Sequence, residues 1–299
     1  MRVFLTGGTG YIGTAVAERL HSAGHQISAL ARSDAAAARL SAAGIEPIRG
    51  DFAAPKSVAA GARAADGVIS LATTYDPAID GPAIDAILEA LAGSNKPFIY
   101  TSGIWSHGDT AGKVVDESSP PRPAPLVDWR QAVEDRVLAA ARDKIRTIVI
   151  RPAIVYGRGG GIPAGFVESA RKEGAAQIVG TGENRWPFVH VDDLADLYLL
   201  ALENAPPSTL LLAVSGEAHP VREVAAAASR GAGANGRITA WPLEDARKKL
   251  GPYADALVLD QQASGKRAQQ LLGWQPHRPD VLEDIERGSY AFAGTTGER

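Results

Sequence analysis

The chain has 299 residues, a net charge of −3 and no cysteine. Its length allows a large core in one domain or two closely packed ones, and its charge leaves no basic footprint for nucleic acid. The missing cysteines exclude disulfides, thiolate nucleophiles and cysteine-ligated metals, the six histidines are scattered, and no metal site is expected.

An apolar run at 2–5 enters a turn with glycines at 7, 10 and 13, and an amphipathic stretch at 11–23 leaves it. Strand, glycine turn and helix in that order build an anion site, because a helix N-terminus offers unpaired N–H groups and the positive end of its dipole. Gly7 would allow the sharp turn, Gly10 close approach of a pyrophosphate, and Gly13 tight helix–strand packing. Further strands are predicted at 26–31, 45–49, 68–71, 97–101 and 145–151, with helices at 34–43, 55–65, 82–93 and 127–142. Short apolar strands alternating with helices indicate a doubly wound parallel sheet, an α/β fold of Rossmann type.

The second strand ends Ala31-Arg32-Ser33. An NAD site usually carries an acidic residue here for the ribose 2′-hydroxyl, whereas a guanidinium matches a phosphate. Arg32 and Ser33 therefore favour NADP(H), and the alternative has Asp34 reaching the ribose. After Arg151 the rhythm changes. Residues 157–187 are rich in Gly and Pro, short β-like runs are expected at 188–191 and 209–214, and helices at 163–174, 192–204, 220–231 and 243–250. We read 1–156 as the dinucleotide-binding domain and 157–293 mainly as a smaller substrate lobe. A segment at about 188–205 returns to the core, and 294–299 form a disordered tail. No apolar run approaches ~18 residues, so no membrane partner is expected. The first strand opens at the chain start and leaves no room for a signal peptide, which points to the cytoplasm.

Thr6 to Gly13, Gly50-Asp51-Phe52, Tyr100-Thr101-Ser102, Arg151-Pro152-Ala153-Ile154-Val155-Tyr156-Gly157, Phe188 to Asp193 and Leu272 to Pro276 together resemble the extended or atypical short-chain dehydrogenase/reductase superfamily. The resemblance covers nearly the whole chain. It implies a cofactor held by Gly7, Thr9, Gly10, Tyr11, Ile12, Gly13, Asp51, Phe52, Leu71, Ala72, Thr73, Pro152, Ala153 and Val155, and a homodimer through 82–93 and 127–142. The family's catalytic Ser/Thr, Tyr and Lys are not matched. No Tyr-x-x-x-Lys occurs in the chain; aligned on Glu134, Arg130 takes the lysine position and Leu126 the tyrosine position, while Gly103 takes that of the serine. Arg130 could bind ribose hydroxyls, or merely pair with Glu134 at i+4. Replacement proton donors are Tyr156, Ser102, His107 and Tyr75. The first two stand at strand ends, and the His107 imidazole has a suitable ordinary pKa. His190 reads as structural, with Asp192 or Asp193 capping the next helix.

Trp186 stands where nucleotide-sugar enzymes of this superfamily carry a diphosphate-gripping arginine, although Arg185 is adjacent. Trp105, Trp129 and Ile162 are expected near the same cleft, and Gly159 to Gly161 form a lid hinge or a plain loop. The expected function is an NADP(H)-dependent oxidoreductase acting on a small, rather apolar carbonyl or conjugated substrate. The alternatives are a nucleotide-sugar epimerase/dehydratase and a non-catalytic NADP-sensing protein.

Overall fold

The computed structural model describes residues 1–291; the expected tail at 294–299 lies outside them. Seven strands form one parallel sheet in the order Thr209–Ala213, Arg146–Pro152, β5 (Pro97–Thr101), β4 (Gly67–Ser70), β1 (Arg2–Thr6), β2 (Gln26–Ala31) and β3 (Glu46–Arg49). The chain runs outward from β1 to β3, then returns to the other side of β1. That reversal opens a crevice at the carboxyl edge between β1 and β4, where ligands bind in such sheets. The seventh strand is drawn from the stretch expected to belong to the substrate lobe.

Helices α1 (Tyr11–Ser22), α2 (Asp34–Ala42), α3 (Pro55–Ala64), α4 (Pro77–Leu91) and α5 (Arg130–Ala139) follow the first strands. Their starts have local causes. The Ser33 side chain caps α2 by accepting from the Ala36 amide at 3.2 Å, and Asp76 caps α4 by accepting from Ala78 at 2.9 Å. Helix α4 thus begins at Pro77, five residues before the predicted start. Pro82, the first residue of the predicted helix, sits inside it. Helix α5 is shorter than 127–142, because the 3₁₀ turns Pro125–Val127 and Ala140–Asp143 flank it.

Beyond Arg151 the helices Pro163–Glu173, Val191–Asn204, Val221–Gly231 and Leu243–Leu250 stand near their expected positions. The β-like run expected at 188–191 is the strand Phe188–His190, which pairs in parallel with Ile154–Tyr156; that partner, and the ribbon of Ala176–Val179 with Ile238–Trp241, were not foreseen. Helices Tyr253–Leu257, Lys266–Leu272 and Val281–Arg287 were likewise missed. These pieces are too short to carry a readable period. No helix among the described residues is long and apolar enough to cross a membrane.

Candidate functional site

The glycine turn joins β1 to α1 at the crevice. Gly7 has φ +77°, and a Cβ on it would lie 2.9 Å from the Ala72 amide nitrogen. A Cβ on Gly13 would lie 2.1 Å from the Gly7 carbonyl oxygen, so the helix packs on the turn only because that position is bare. Gly10 precedes α1 and supplies no side-chain cap. The opening amides, those of Tyr11 and Ile12 among them, are left for an anion.

Arg32 is exposed at the end of β2 and makes no ion pair among the described residues. Asp34 is paired with Arg49, whose backbone lies beside Ala31 on β3. Ser33 is occupied as a helix cap. The Asp51 carboxylate accepts from the Ala53 amide at 2.9 Å, holding a turn, and the Phe52 ring is taken up by the core. The Ala72 amide donates to Thr6 Oγ1 at 3.3 Å, which pins the loop after β4 to β1.

A cleft of about 240 Å³ at the other end of the crevice is lined by Tyr11, Ile12, Tyr75, Ser102, Arg130 and Ile162, with Pro152, Ala153 and Val155 on its wall. Arg130 is buried here. Its Nη2 donates to Thr73 Oγ1 at 2.9 Å, its guanidinium lies 5.0 Å from the Tyr75 ring centre and 5.4 Å from that of Trp129, and its Nε has no partner among the described residues. A buried cation with an unused donor suits the hydroxyls of a ribose. Together with the bare cradle at Gly7 and Gly13, this makes the crevice fit a dinucleotide. The pairing of Arg130 with Glu134, the plain alternative, does not occur. Thr73 itself is fully engaged: it accepts from Arg130 and from the Tyr75 amide, and donates to Asp80 at 2.6 Å.

Glu134 instead faces Arg151, each buried. Arg151 Nε donates to both carboxylate oxygens at 3.0 and 3.1 Å. Ser106 donates to Glu134 at 3.2 Å, and Ser102 stands 3.3 Å from Ser106. A serine hydroxyl has one proton, so with that of Ser106 given to Glu134, the Ser102 proton points inward. Arg151 Nη1 also donates to His107 Nε2 at 2.9 Å. Burial, and then the charge of Arg151, lower the His107 pKa to about 4.

Two expected donors are thereby corrected. His107 is no solvated loop imidazole but a buried one whose Nε2 accepts from Arg151, and its lowered pKa keeps it from being the charged acid expected of a donor. Tyr156 turns away from the cleft. Its hydroxyl donates to the Pro279 carbonyl at 2.6 Å, and its ring packs edge-on against Phe188 and His190. Burial raises its pKa. Near it, the His190 Nδ1 accepts from the Asp192 amide at 3.1 Å, so the histidine, and neither aspartate, caps the helix Val191–Asn204.

Beyond Gly161 and Ile162 the cleft meets a second cavity of about 320 Å³, walled by Phe166, Val179, Trp186, Trp241, Tyr253 and Leu257, with Ser169 and Gln177 as its polar edge. Trp186 stacks on Phe166 at 6.0 Å, and Trp105 meets Tyr253 edge-on at 5.7 Å. Arg185 lines a separate polar hollow with Lys266 and Glu217. Gly160 and Gly161 are pressed on Tyr11 and on the Val155 carbonyl, where a Cβ would lie 2.4 and 2.1 Å from the nearest atoms. Their bareness serves close packing. Trp241, Tyr253 and Leu257 escaped sequence reasoning because they come from the late segments whose structure was not foreseen.

Among the described residues, Asp193, Asp196 and His277 form a grouping of metal-type ligands. Their partners already account for it: Asp193 accepts from the amides of His277 and Arg278, and Asp196 pairs with Arg19. His21 and His25 are four residues apart, but His25 lies past the end of α1, with its Nε2 3.1 Å from Glu203.

The model of the NAD dependent epimerase/dehydratase family matches residues 3–213. An uncharacterised protein of Saccharomyces cerevisiae is 34% identical over 98% of this chain and 100% of its own length. A 2-alkyl-3-oxoalkanoate reductase of Stenotrophomonas maltophilia is 28% identical, covering 75% of this chain and 73% of its own. A UDP-glucose 4-epimerase of Thermus thermophilus, solved with NAD, superposes with a TM-score of 0.80 at 22% identity, over 99% of this chain and all of that one.

Proposed function

We propose that this chain, which belongs to the NAD-dependent epimerase/dehydratase family, is an NADP(H)-dependent reductase of small carbonyl or conjugated substrates with an apolar tail. The observation that carries this reading is the cavity behind Trp186, whose aromatic and aliphatic wall shares Gly161 and Ile162 with the cleft. Such a wall gains most from an alkyl or acyl chain. The similarity to a reductase of 2-alkyl-3-oxoalkanoates points the same way. A nucleotide sugar would need a cation on its diphosphate in this cavity, and Arg185 faces elsewhere.

When bound, reduced nicotinamide supplies the hydride. The opening amides of α1 hold the pyrophosphate, Arg32 the 2′-phosphate, and Arg130 the ribose beside the nicotinamide. Arg130 also places positive charge where a carbonyl oxygen gains electrons. Phe166, Trp186 and Trp241 exclude water from the substrate tail.

Loss of NADPH absorbance with a series of alkyl ketones, aldehydes and enones tests the proposal. KM falls as the chain lengthens until the cavity is full, and UDP-, GDP- and dTDP-sugars bind no tighter than roughly 1 mM. Tight NADPH binding without turnover of any carbonyl would favour a cofactor-sensing protein instead. We place the homodimer on the outer face of α4 and α5, which Arg136 and Asp85 bridge at 3.0 Å. Sedimentation at equilibrium would show twice the mass of one chain.

A further inference from the structure

The family's helix tyrosine is absent, so the reduction proposed above needs another proton source. Four hydroxyl side chains line the cleft: Tyr11, Tyr75, Thr101 and Ser102. Three are committed. Tyr11 donates to the Gly157 carbonyl at 2.7 Å, Thr101 pairs with Tyr198 at 2.6 Å, and Ser102 points toward Ser106. Tyr75 makes no hydrogen bond through its hydroxyl among the described residues.

The loop that carries Tyr75 is built to present it. Its φ is +60°, a conformation that bulky residues seldom adopt and that must be imposed by surrounding structure. Here the imposing group is Asp80, buried in the first turn of α4. Asp80 accepts from the hydroxyls of Thr73 and Thr74, each at 2.6 Å, and from the Thr74 amide at 2.9 Å. Thr73 in turn accepts from the Tyr75 amide at 3.3 Å. Arg130 closes the assembly, bonded to Thr73 and stacked over the Tyr75 ring. On the far side Tyr253, a wall of the apolar cavity, holds its proton more tightly than an ordinary phenol, through burial and then through the neighbouring Tyr75. Tyr75 thus stands where the reacting cleft meets the substrate cavity.

We infer that the Tyr75 hydroxyl is the proton donor of the reduction, with Asp80 as its positioning residue. The inference rests on the reductase reading above. As hydride from the dihydronicotinamide reaches the carbonyl carbon, the C=O π pair moves to oxygen. That oxygen takes the Tyr75 proton, giving the alcohol, the oxidised cofactor and a phenolate. At 47% exposure Tyr75 regains its proton from water.

Tyr75→Phe removes only the oxygen and tests the assignment. In the variant kcat drops by about a hundredfold, the scale of general acid catalysis, while NADPH affinity measured by fluorescence stays within about twofold. An N-alkylacetamide, an unreactive carbonyl of the same shape, reads the contact without turnover. Calorimetry on the NADPH-bound protein shows its affinity about tenfold lower in the variant, the loss of one hydrogen bond. A kcat within about threefold of wild type, or unchanged amide affinity, overturns Tyr75 and leaves the reductase reading standing. A wild type that turns over no carbonyl overturns the reductase reading, and the donor assignment falls with it.

Discussion

Arg32 makes no ion pair among the described residues, and the nearby carboxylate is spoken for by Arg49. On the proposal above Arg32 meets the 2′-phosphate, and the expected outcome is that NADPH binds more tightly than NADH. Losing a charge-assisted phosphate contact costs about 1.5–3 kcal/mol, so Arg32→Ala removes most of that preference in parallel titrations of the two cofactors. Equal affinities in the wild type would refute the assignment. His107 gives a second prediction at this scale. Its folded pKa is lowered to about 4, whereas the unfolded imidazole titrates near 6.5. Between those values the unfolded chain holds the extra proton. Stability is thus level above about pH 6.5 and falls as pH drops toward about 4, by on the order of 3 kcal/mol across the window. His107→Gln flattens this slope, which urea midpoints at about pH 5 and about pH 7 would show. An equal acid loss in both proteins would clear His107 of the effect. Single residues were legible in the sequence where their partner is close along the chain. Gly7 and Gly13 obey the turn they share, whereas Ser33, read with Arg32 as a cofactor contact, caps the helix it precedes. Arg130 was not legible in full, because its partner Thr73 is 57 residues away and the i+4 glutamate offered a false one.

Among the elements, α5, the strand Arg146–Pro152 and the 3₁₀ turn Ile104–His107 are tied by the Glu134–Arg151 pair. Both side chains are nearly inaccessible, at 1% and 3%. Removing one charge strands the other in a poor dielectric, which typically costs 3–5 kcal/mol. Glu134→Gln keeps the shape and loses the charge, so about 3 kcal/mol of unfolding free energy disappears in a denaturant titration. Adding Arg151→Met recovers part of it, since the uncompensated guanidinium goes too. If the single variant is as stable as wild type, the pair is not holding these elements. The central strands and most helices could be placed from apolar runs and their punctuation. The start of α4 could not. Pro77 and Pro82 both satisfy the rule for a first helical residue, and the Asp76 cap decides between them.

Across the whole molecule, the cofactor half is fixed by local patterns that any reader of the first strand–turn–helix can follow. The substrate cavity is not. Its walls come from the helix Pro163–Glu173, from Trp186 and from the ribbon and helices around Trp241 and Tyr253, which meet only in three dimensions. On the proposal above, the cavity sets the size of the tail. Leu257→Trp, which fills it, shifts the preferred ketone to a shorter chain by about two or three methylenes, each worth about 0.8 kcal/mol when buried. KM across the chain-length series measures the shift. An unchanged optimum would place the tail somewhere else.

One wall of that cavity has a consequence for descent. Ile238–Trp241 pairs with a single neighbouring strand, Ala176–Val179, outside the seven-stranded sheet. Trp241, Leu250, Tyr253 and Leu257 follow within that one stretch of chain, which Asn184 also holds by donating to the Leu257 and Leu259 carbonyls. A lineage can therefore rewrite this contiguous stretch, residue by residue or by exchange, without touching the glycine turn or the parallel sheet. Diet diverges while the engine is inherited: paralogues of this chain should differ most in what they accept along this stretch and least in the coenzyme they burn.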